Sequence, residues 1–194
     1  MEKLLQYTFT GLSAGALYAL VALGIVLIYR STRVLNFAHG DVAMLSTFAA
    51  FALLSNGYGF PIALAGSLAV GAALGIGFYF SVLARAQREG ANLLGMVALT
   101  LGLALILQGV AVYIWGAEPV SLPFPISSTE TYRVGVVVVS QLALATMAAG
   151  IVGSLLLYLL VQKTRLGLAM RATSENLMAA QTLGIPTRLV LSVS

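Results

Sequence analysis

Charged residues divide this chain into long stretches that contain none. Four such stretches cover residues 4–29, 42–84, 90–117 and 134–162. A helix needs about 20 apolar residues to cross the hydrocarbon core of a bilayer. Three of the stretches are long enough for one crossing and the second is long enough for two. The pattern therefore predicts an integral membrane protein with several spans.

A break inside the second stretch sets the expected number of spans. Residues 55–61 read Ser-Asn-Gly-Tyr-Gly-Phe-Pro. Gly, Asn and Pro interrupt helices, and Pro is tolerated in a first helical turn. We therefore predict an all-α transmembrane bundle of five spans, with the start of a sixth at 189–194, which implies a truncated C-terminus. The predicted spans are 6–29, 34–54, 61–84, 92–115 and 135–162.

The composition agrees with a membrane protein and excludes other classes. The chain is 60% hydrophobic and 8% charged, with a mean hydropathy of +1.00, whereas a soluble domain carries about 25% charged residues. Cysteine is absent, which excludes disulfides and thiolate metal sites. The net charge of +4 comes from basic residues in short loops, so we expect a lipid bilayer as partner and no nucleic acid.

The distribution of basic residues predicts the orientation. If the loop after residue 162 is cytoplasmic, the outer side holds only Lys3 and Arg133. The other eight of the ten basic residues face the cytoplasm: Arg30, Arg33, Arg85, Arg88, Lys163, Arg165, Arg171 and Arg188. The positive-inside rule favours this arrangement. The N-terminus is then outside, and the Pro- and Ser-rich residues 118–133 form an extracytoplasmic loop.

The cytoplasmic segment 163–188 predicts two short helices. Residues 164–172 have the pattern of an amphipathic helix at the membrane surface. A second helix is expected through 177–183, with Gly184 as a left-handed terminator. Ser174 or Asn176 is the predicted N-cap of this second helix. The next span is predicted to begin at Pro186.

The second of these helices carries a small apolar face. Leu177, Ala180 and Leu183 recur at helical spacing. Such a face suits the groove of a partner protein or the headgroup region of the bilayer, and spacing alone does not choose between them.

A polar signature precedes the second predicted span. Residues 36–41 read Asn-Phe-Ala-His-Gly-Asp and include the only His of the chain. An ionisable group in a span is a functional candidate, but two possible ligands make a poor metal site. We therefore favour a structural role for the signature, in which Asn36 and Asp41 cap a broken or re-entrant helix and Gly40 permits the turn. The signature residues are therefore Asn36, His39, Gly40 and Asp41.

Further polar residues lie within the predicted spans, at Thr100, Gln108 and Gln141. Most such groups bond to neighbouring helices, and a minority line a pathway. No substrate-contacting residue is predicted from the sequence.

Two motifs resemble a known family. Ala179-Ala180-x-x-x-Gly184 resembles the Ala-Ala-x-x-x-Gly core of the "EAA" loop of ABC importer permeases, which in that family forms the coupling helix that docks on a cytoplasmic ATPase. Residues 167–172 and 183–185 resemble in particular the branched-chain amino-acid permeases. Asn-Phe-Ala-His-Gly followed by an acid resembles the same family, which usually carries Glu at the position of Asp41, and residues 15–24 resemble its first span.

The resemblance implies roles for individual residues. The usual Glu of the loop falls at Met178 here, so its contact with the ATPase would be missing or would use Glu175. The residues implied in ATPase coupling are Arg171, Glu175, Ala179, Ala180 and Gly184.

The resemblance also implies a function and an assembly. The chain is expected to be one incomplete permease domain, 1–194, in the bacterial inner membrane, belonging to an ABC importer of the high-affinity Leu/Ile/Val type. Implied partners are a second related permease, two cytoplasmic ATPases and an extracytoplasmic substrate-binding protein. No Gly-x-x-x-x-Gly-Lys-Ser/Thr motif occurs in the chain, so we predict that the ATPases bind the ATP. We predict no catalytic residue, metal or cofactor in this chain.

Three alternatives stay open. A related importer for urea, short amides or other amino acids has a closely similar permease. A secondary transporter would use Asp41 for proton coupling. An intramembrane enzyme would use His39 and Asp41, but the sequence offers neither a credible nucleophile nor a third member at fitting spacing.

Overall fold

The computed structural model describes residues 2–32, 34–122, 131–134, 137–175, 180 and 182. In these residues the chain forms seven α-helices, a π-helical turn (Tyr79–Leu83) and a two-stranded hairpin, β1 (Thr131–Val134) with β2 (Val137–Ser140). The helices are α1 (Glu2–Thr32), α2 (His39–Ser55), α3 (Phe60–Phe78), α4 (Ala84–Arg88), α5 (Leu93–Trp115), α6 (Gln141–Lys163) and α7 (Arg165–Glu175). The prediction of a helical membrane bundle is confirmed.

Four described segments are long and apolar enough to cross a membrane: Gln6–Arg30, Phe60–Arg88, Leu93–Trp115 and Gln141–Lys163. They correspond to four of the five predicted spans. The remaining predicted span, 34–54, contains α2, which begins only at His39. Its 17 residues lie at the short end of the range of roughly 17–25 that crosses a bilayer.

The predicted start of the last span is wrong. We predicted a helix from residue 135, but α6 begins at Gln141, because the preceding residues form the antiparallel hairpin of β1 and β2. The run of four valines before Ser140 favours a strand, since β-branched side chains restrict χ1 in a helix. Ser140 then ends the strand and caps α6, its side chain accepting a hydrogen bond from the Ala143 N–H at 3.2 Å.

The described residues form two compact units, one holding most of α1, the hairpin and α6, the other holding α2 to α5. In the first unit, α1 and α6 approach closely at glycines. A Cβ atom at Gly150 would lie 2.9 Å from the Ala16 Cβ and carbonyl oxygen, and one at Gly153 would lie 2.9 Å from Leu20 Cδ1. Small residues at these positions allow the two helices to pack through their backbones.

In the second unit, α2 and α3 form an antiparallel helical pair. The predicted break between them is confirmed: Gly57 has a φ of 85°, a conformation that favours glycine, and Pro61 lies in the first turn of α3. A Cβ atom at Gly71 would lie 2.9 Å from Ser46 Oγ. The turn and the small residues together hold the two helices in close contact.

The chain between α1 and α2 is irregular, and α5 holds it in place. Thr100 of α5 is fully buried. Its hydroxyl oxygen accepts a hydrogen bond from the Phe37 N–H at 3.3 Å and lies 3.4 Å from the Leu35 carbonyl oxygen. The same hydroxyl lies 2.8 Å from the Val97 carbonyl oxygen of its own helix. One side chain therefore bonds the irregular segment to a membrane helix.

A small apolar core lies beside this irregular segment. It joins Val34 to Tyr79, Leu83 and Ala84 of the π-helical turn and α4, and to Met96 of α5. The π-helical turn thus contributes two of its side chains to the packing. The core fixes the ends of three helices around the start of α2.

We predict that Thr100→Val lowers the thermal unfolding temperature of the detergent-solubilised protein by several degrees. Valine matches the volume of threonine but cannot bond to the Phe37 N–H, and an unsatisfied buried group costs about 1–3 kcal/mol. Thr146→Val is the matched control, because among the described residues the Thr146 hydroxyl bonds to Ala143 of its own helix and to no other helix. Equal unfolding temperatures for both variants would contradict the assigned role of Thr100.

Candidate functional site

The signature residues 36–41 lie at the point where the irregular segment becomes α2. The Asn36 side-chain oxygen accepts a hydrogen bond from the Ala38 N–H at 3.0 Å, and the Asn36 carbonyl accepts one from the His39 N–H at 3.4 Å. Asn36 therefore closes the turn that leads into the helix. The predicted structural role of this residue has a local explanation.

Asp41 does not cap α2, so that part of the prediction is wrong. The N-cap residue is Ala38, and no side chain caps the helix. Instead, the Asp41 carboxylate accepts a hydrogen bond at 2.9 Å from the side-chain amide of Gln108 on α5. Asp41 reaches Gln108 because α2 and α5 pack side by side in the second unit. The carboxylate also lies in the first turn of α2, where the helix dipole favours a negative charge.

Gly40 and His39 take ordinary positions in the first turn of α2. Gly40 is not among the glycines with positive φ, and a Cβ atom there would meet nothing within 4 Å. The predicted need for glycine at a turn is therefore wrong. His39 and Asp41 are two residues apart on the helix, so they project about 200° apart and do not share a face. This geometry does not support joint chemistry by the two side chains.

An apolar cleft opens further along the same helix. It has a volume of about 230 Å³ and is lined by Met44, Thr47, Phe48, Phe51, Val120 and Leu122. Phe48 also stacks on Trp115 of α5, with ring centroids 4.9 Å apart. The residues after α5 thus fold back against α2 and leave a small apolar space beside it.

The amphipathic helix predicted over residues 164–172 is confirmed as α7. Thr164 begins it, because its hydroxyl accepts a hydrogen bond from the Gly167 N–H at 3.1 Å in the manner of an N-cap. Gly167 is required at the turn from α6 into α7, since a Cβ atom there would collide with the carbonyl oxygens of Leu160 and Val161. The first turn of α7 therefore packs closely against the end of α6.

Exposure differs along α7. Met170 and Thr173 are buried, whereas Leu166 and Leu168 in its first turn are exposed. Arg171 is half-buried within the helix.

Ser174 and Glu175 form the described end of α7. Ser174 lies inside this helix, with its hydroxyl donating a hydrogen bond to the Arg171 carbonyl. The start of the predicted second helix, which Ser174 or Asn176 would cap, lies outside the described residues. Glu175, the last residue of α7, is exposed.

Of the remaining predicted coupling residues, the structure describes Ala180. This residue is helical and only 2% exposed, so its methyl group packs against the chain itself. Thr182 is also helical. The other residues of that prediction lie outside the described residues: Asn176, Leu177, Met178, Ala179, Leu183, Gly184 and Pro186.

Sequence reasoning missed the partners of the signature residues. Thr100 and Gln108 were noted only as polar positions in a span, and each bonds to the signature region more than 60 residues away in the chain. A signal was present in their spacing, because residues eight apart lie about 80° apart around a helix and so face one direction. Among the described residues, no group of three or more His, Asp or Glu side chains could hold a metal ion.

Comparisons with known proteins point to one family. The family described as the permease component of the branched-chain amino acid transport system matches residues 7–194. The chain is similar to the high-affinity branched-chain amino acid transport system permease protein LivH of Escherichia coli (strain K12), with 30% identity over 98% of this chain and 65% of the relative. No solved structure gives a significant match.

Two further relatives carry similar descriptions. A probable branched-chain amino acid transport permease protein LivH of Methanocaldococcus jannaschii is 34% identical over 87% of this chain and 54% of its own length. The high-affinity branched-chain amino acid transport system permease protein BraD of Pseudomonas aeruginosa is 24% identical over 98% of this chain and 65% of its own length. The chain thus spans between about half and two thirds of the length of these relatives. Because the family match covers nearly every residue, this multi-pass inner-membrane protein belongs to the family of branched-chain amino acid transport system permease components.

Proposed function

We propose that the chain is a membrane-spanning permease subunit of an ABC importer that moves branched-chain amino acids across the inner membrane. The observation that carries the proposal is the family match over residues 7–194. The position of α7, a short amphipathic helix directly after a membrane span, supports it, because the resemblance implies a coupling segment at that place.

The proposed assembly contains three kinds of partner. A second homologous permease packs beside this chain in the bilayer, two cytoplasmic ATPases bind ATP and supply the force, and an extracytoplasmic protein delivers the substrate. The chain is a transport subunit and not an enzyme. A related importer for urea, short amides or other amino acids is the alternative, since the binding protein would make most of the selection.

In the proposed mechanism the segment 163–188 transmits force from the ATPases. Closure of the ATPases pushes this segment and switches the bundle between outward-open and inward-open states. Arg165, Leu166 and Leu168 are exposed in the first turn of α7, so their side chains are open to a cytoplasmic partner. The buried Ala180 acts differently, by letting the segment pack closely on its own chain.

The proposed orientation places the N-terminus outside. Arg85 and Arg88 of α4 lie at one end of the second unit, close to the start of α5. The turn at Gly57, which carries no charge, lies at the other end. Basic residues in short loops favour the cytoplasmic side.

The absence of cysteine makes the orientation directly testable, because a single introduced cysteine is a unique label. We expect a membrane-impermeant maleimide to label Glu118→Cys on intact cells. Arg165→Cys should react only after the membrane is permeabilised. The reverse pattern would overturn the orientation and, with it, the cytoplasmic role of α7.

We expect leucine uptake by the full-length permease, reconstituted in vesicles with its partner subunits, to require ATP. Uptake should persist when a protonophore collapses the proton gradient, because the driving force comes from the ATPases. Uptake that needs no ATP, stops with the protonophore and is abolished by Asp41→Asn would favour the secondary transporter instead.

We expect Ala180→Leu to uncouple ATP hydrolysis from transport in the same vesicles. Ala180 is only 2% exposed, so the three added carbon atoms of leucine do not fit at this position. Overpacking of this kind typically costs about 1–3 kcal/mol, and the segment would be displaced. ATP hydrolysis should continue while uptake falls. Ala180→Gly is the matched control, because it removes bulk at the same position, and equal uptake by the two variants would contradict the proposed role.

A further inference from the structure

Two features of α2 have no role in the mechanism above: the Asp41–Gln108 pair and the apolar cleft that begins one turn further along. We propose that together they bind the cargo on its way through the permease, with the Asp41 carboxylate receiving the α-ammonium group of an aliphatic amino acid and the cleft receiving its side chain. This inference rests on the proposed function, since it names where that function's substrate meets the chain.

The charge of Asp41 has no counter-ion among the described residues. The described ion pair joins Arg85 to Glu89 on the exposed α4, away from α2. Gln108 donates one hydrogen bond to Asp41, but an amide carries no charge. An ionised carboxylate in a membrane span is costly unless a cation or water accompanies it. The ammonium group of an amino acid is a cation of suitable size and hydrogen-bonding capacity.

Asp41 is also accessible. It is half-buried, and Gln108 is exposed, so the pair lies at an open surface of the second unit. A buried pair would serve only to join α2 to α5. The open position leaves the second carboxylate oxygen available to a further donor.

The cleft and the carboxylate share one face of α2. Asp41, Met44, Phe48 and Phe51 are spaced three, seven and ten residues apart, which places them within about 80° around the helix axis. Met44 lies about 4.5 Å along the axis from Asp41. An amino acid whose ammonium group meets Asp41 therefore directs its side chain towards Met44 and the cleft.

The lining of the cleft fits an aliphatic side chain. Five of its six residues are apolar, and Thr47 is the exception. Its volume of about 230 Å³ is below the roughly 300–1,000 Å³ of pockets for drug-sized ligands. The space matches a small cargo, and its apolar walls favour leucine, isoleucine or valine over polar amino acids.

The test separates the charge of Asp41 from its hydrogen bond. In Asp41→Asn the side-chain oxygen still accepts from Gln108, but the charge is gone, whereas Asp41→Glu keeps the charge. We expect Asp41→Asn to slow ATP-dependent leucine uptake in the reconstituted full-length complex at least about tenfold, with Asp41→Glu restoring part of the rate. Glu118→Gln neutralises a carboxylate outside the helices and should leave uptake unchanged.

A second variant fills the cleft. Met44→Trp should slow leucine uptake by about tenfold or more, because the larger indole side chain fills the cleft and a single methylene group in an apolar pocket is already worth about tenfold or more. Uptake of alanine should change less. Leu105→Trp is the matched control, because Leu105 is 69% exposed on α5 and does not line the cleft.

Each outcome bears on a different statement. If the wild-type complex shows no ATP-dependent uptake of any branched-chain amino acid, the proposed function fails. If wild-type uptake is ATP-dependent but Asp41→Asn and Met44→Trp both transport leucine and alanine as the wild type does, the cargo site alone is overturned. If Asp41→Asn does not assemble, the ratio of leucine to alanine uptake by Met44→Trp decides the matter, and an unchanged ratio overturns the site.

Discussion

The irregular backbone before α2 depends on finding a partner for each of its polar groups. In an apolar environment an unsatisfied N–H or C=O group costs several kcal/mol, so non-helical backbone persists only where protein groups satisfy it. Three side chains supply most of these bonds: Thr32 to the Val34 N–H, Asn36 to the Ala38 N–H and Thr100 to the Phe37 N–H. Thr32 and Asn36 lie within six residues of the groups they bond, whereas Thr100 lies on α5, more than 60 residues away. Thr100 therefore positions the start of α2 relative to α5.

The position of that start decides where the charge of Asp41 lies. A helix that continued from residue 34 would carry Asp41 in its second turn with a different rotation. Because α2 begins at His39, Asp41 falls in the first turn and at the level of Gln108, fifteen residues into α5. At about 1.5 Å per residue, Gln108 lies some 22 Å along the helix axis from Leu93, the first residue of α5. One buried hydroxyl and one turn thus place the Asp41 carboxylate at the level of Gln108, on the open side of the α2–α5 pair.

The sequence predicted the features that depend on local pattern. Spans 61–84 and 92–115, the break near Gly57 and the amphipathic α7 all follow from charge-free stretches, turn residues or helical spacing, and the structure contains them. The late start of α2 was not predictable, because it depends on Thr100, which is more than 60 residues away. The hairpin before α6 was missed because an apolar run of valines satisfies a hydropathy criterion whether it forms a strand or a helix.

The two candidate regions differ in how much of them the sequence could supply. The motif around Ala180 could be found by resemblance. The simplest interpretation of the motif is that Ala180 contacts the partner, but a residue that is 2% exposed cannot itself be the surface that a partner touches. A coupling segment needs both a face that holds it on the permease and a face that meets the motor. In the proposal, Gly167 and Ala180 serve the first need, because close packing excludes larger side chains at both positions. In the proposal, the face that meets the motor is then formed by exposed residues of α7 and not by Ala180.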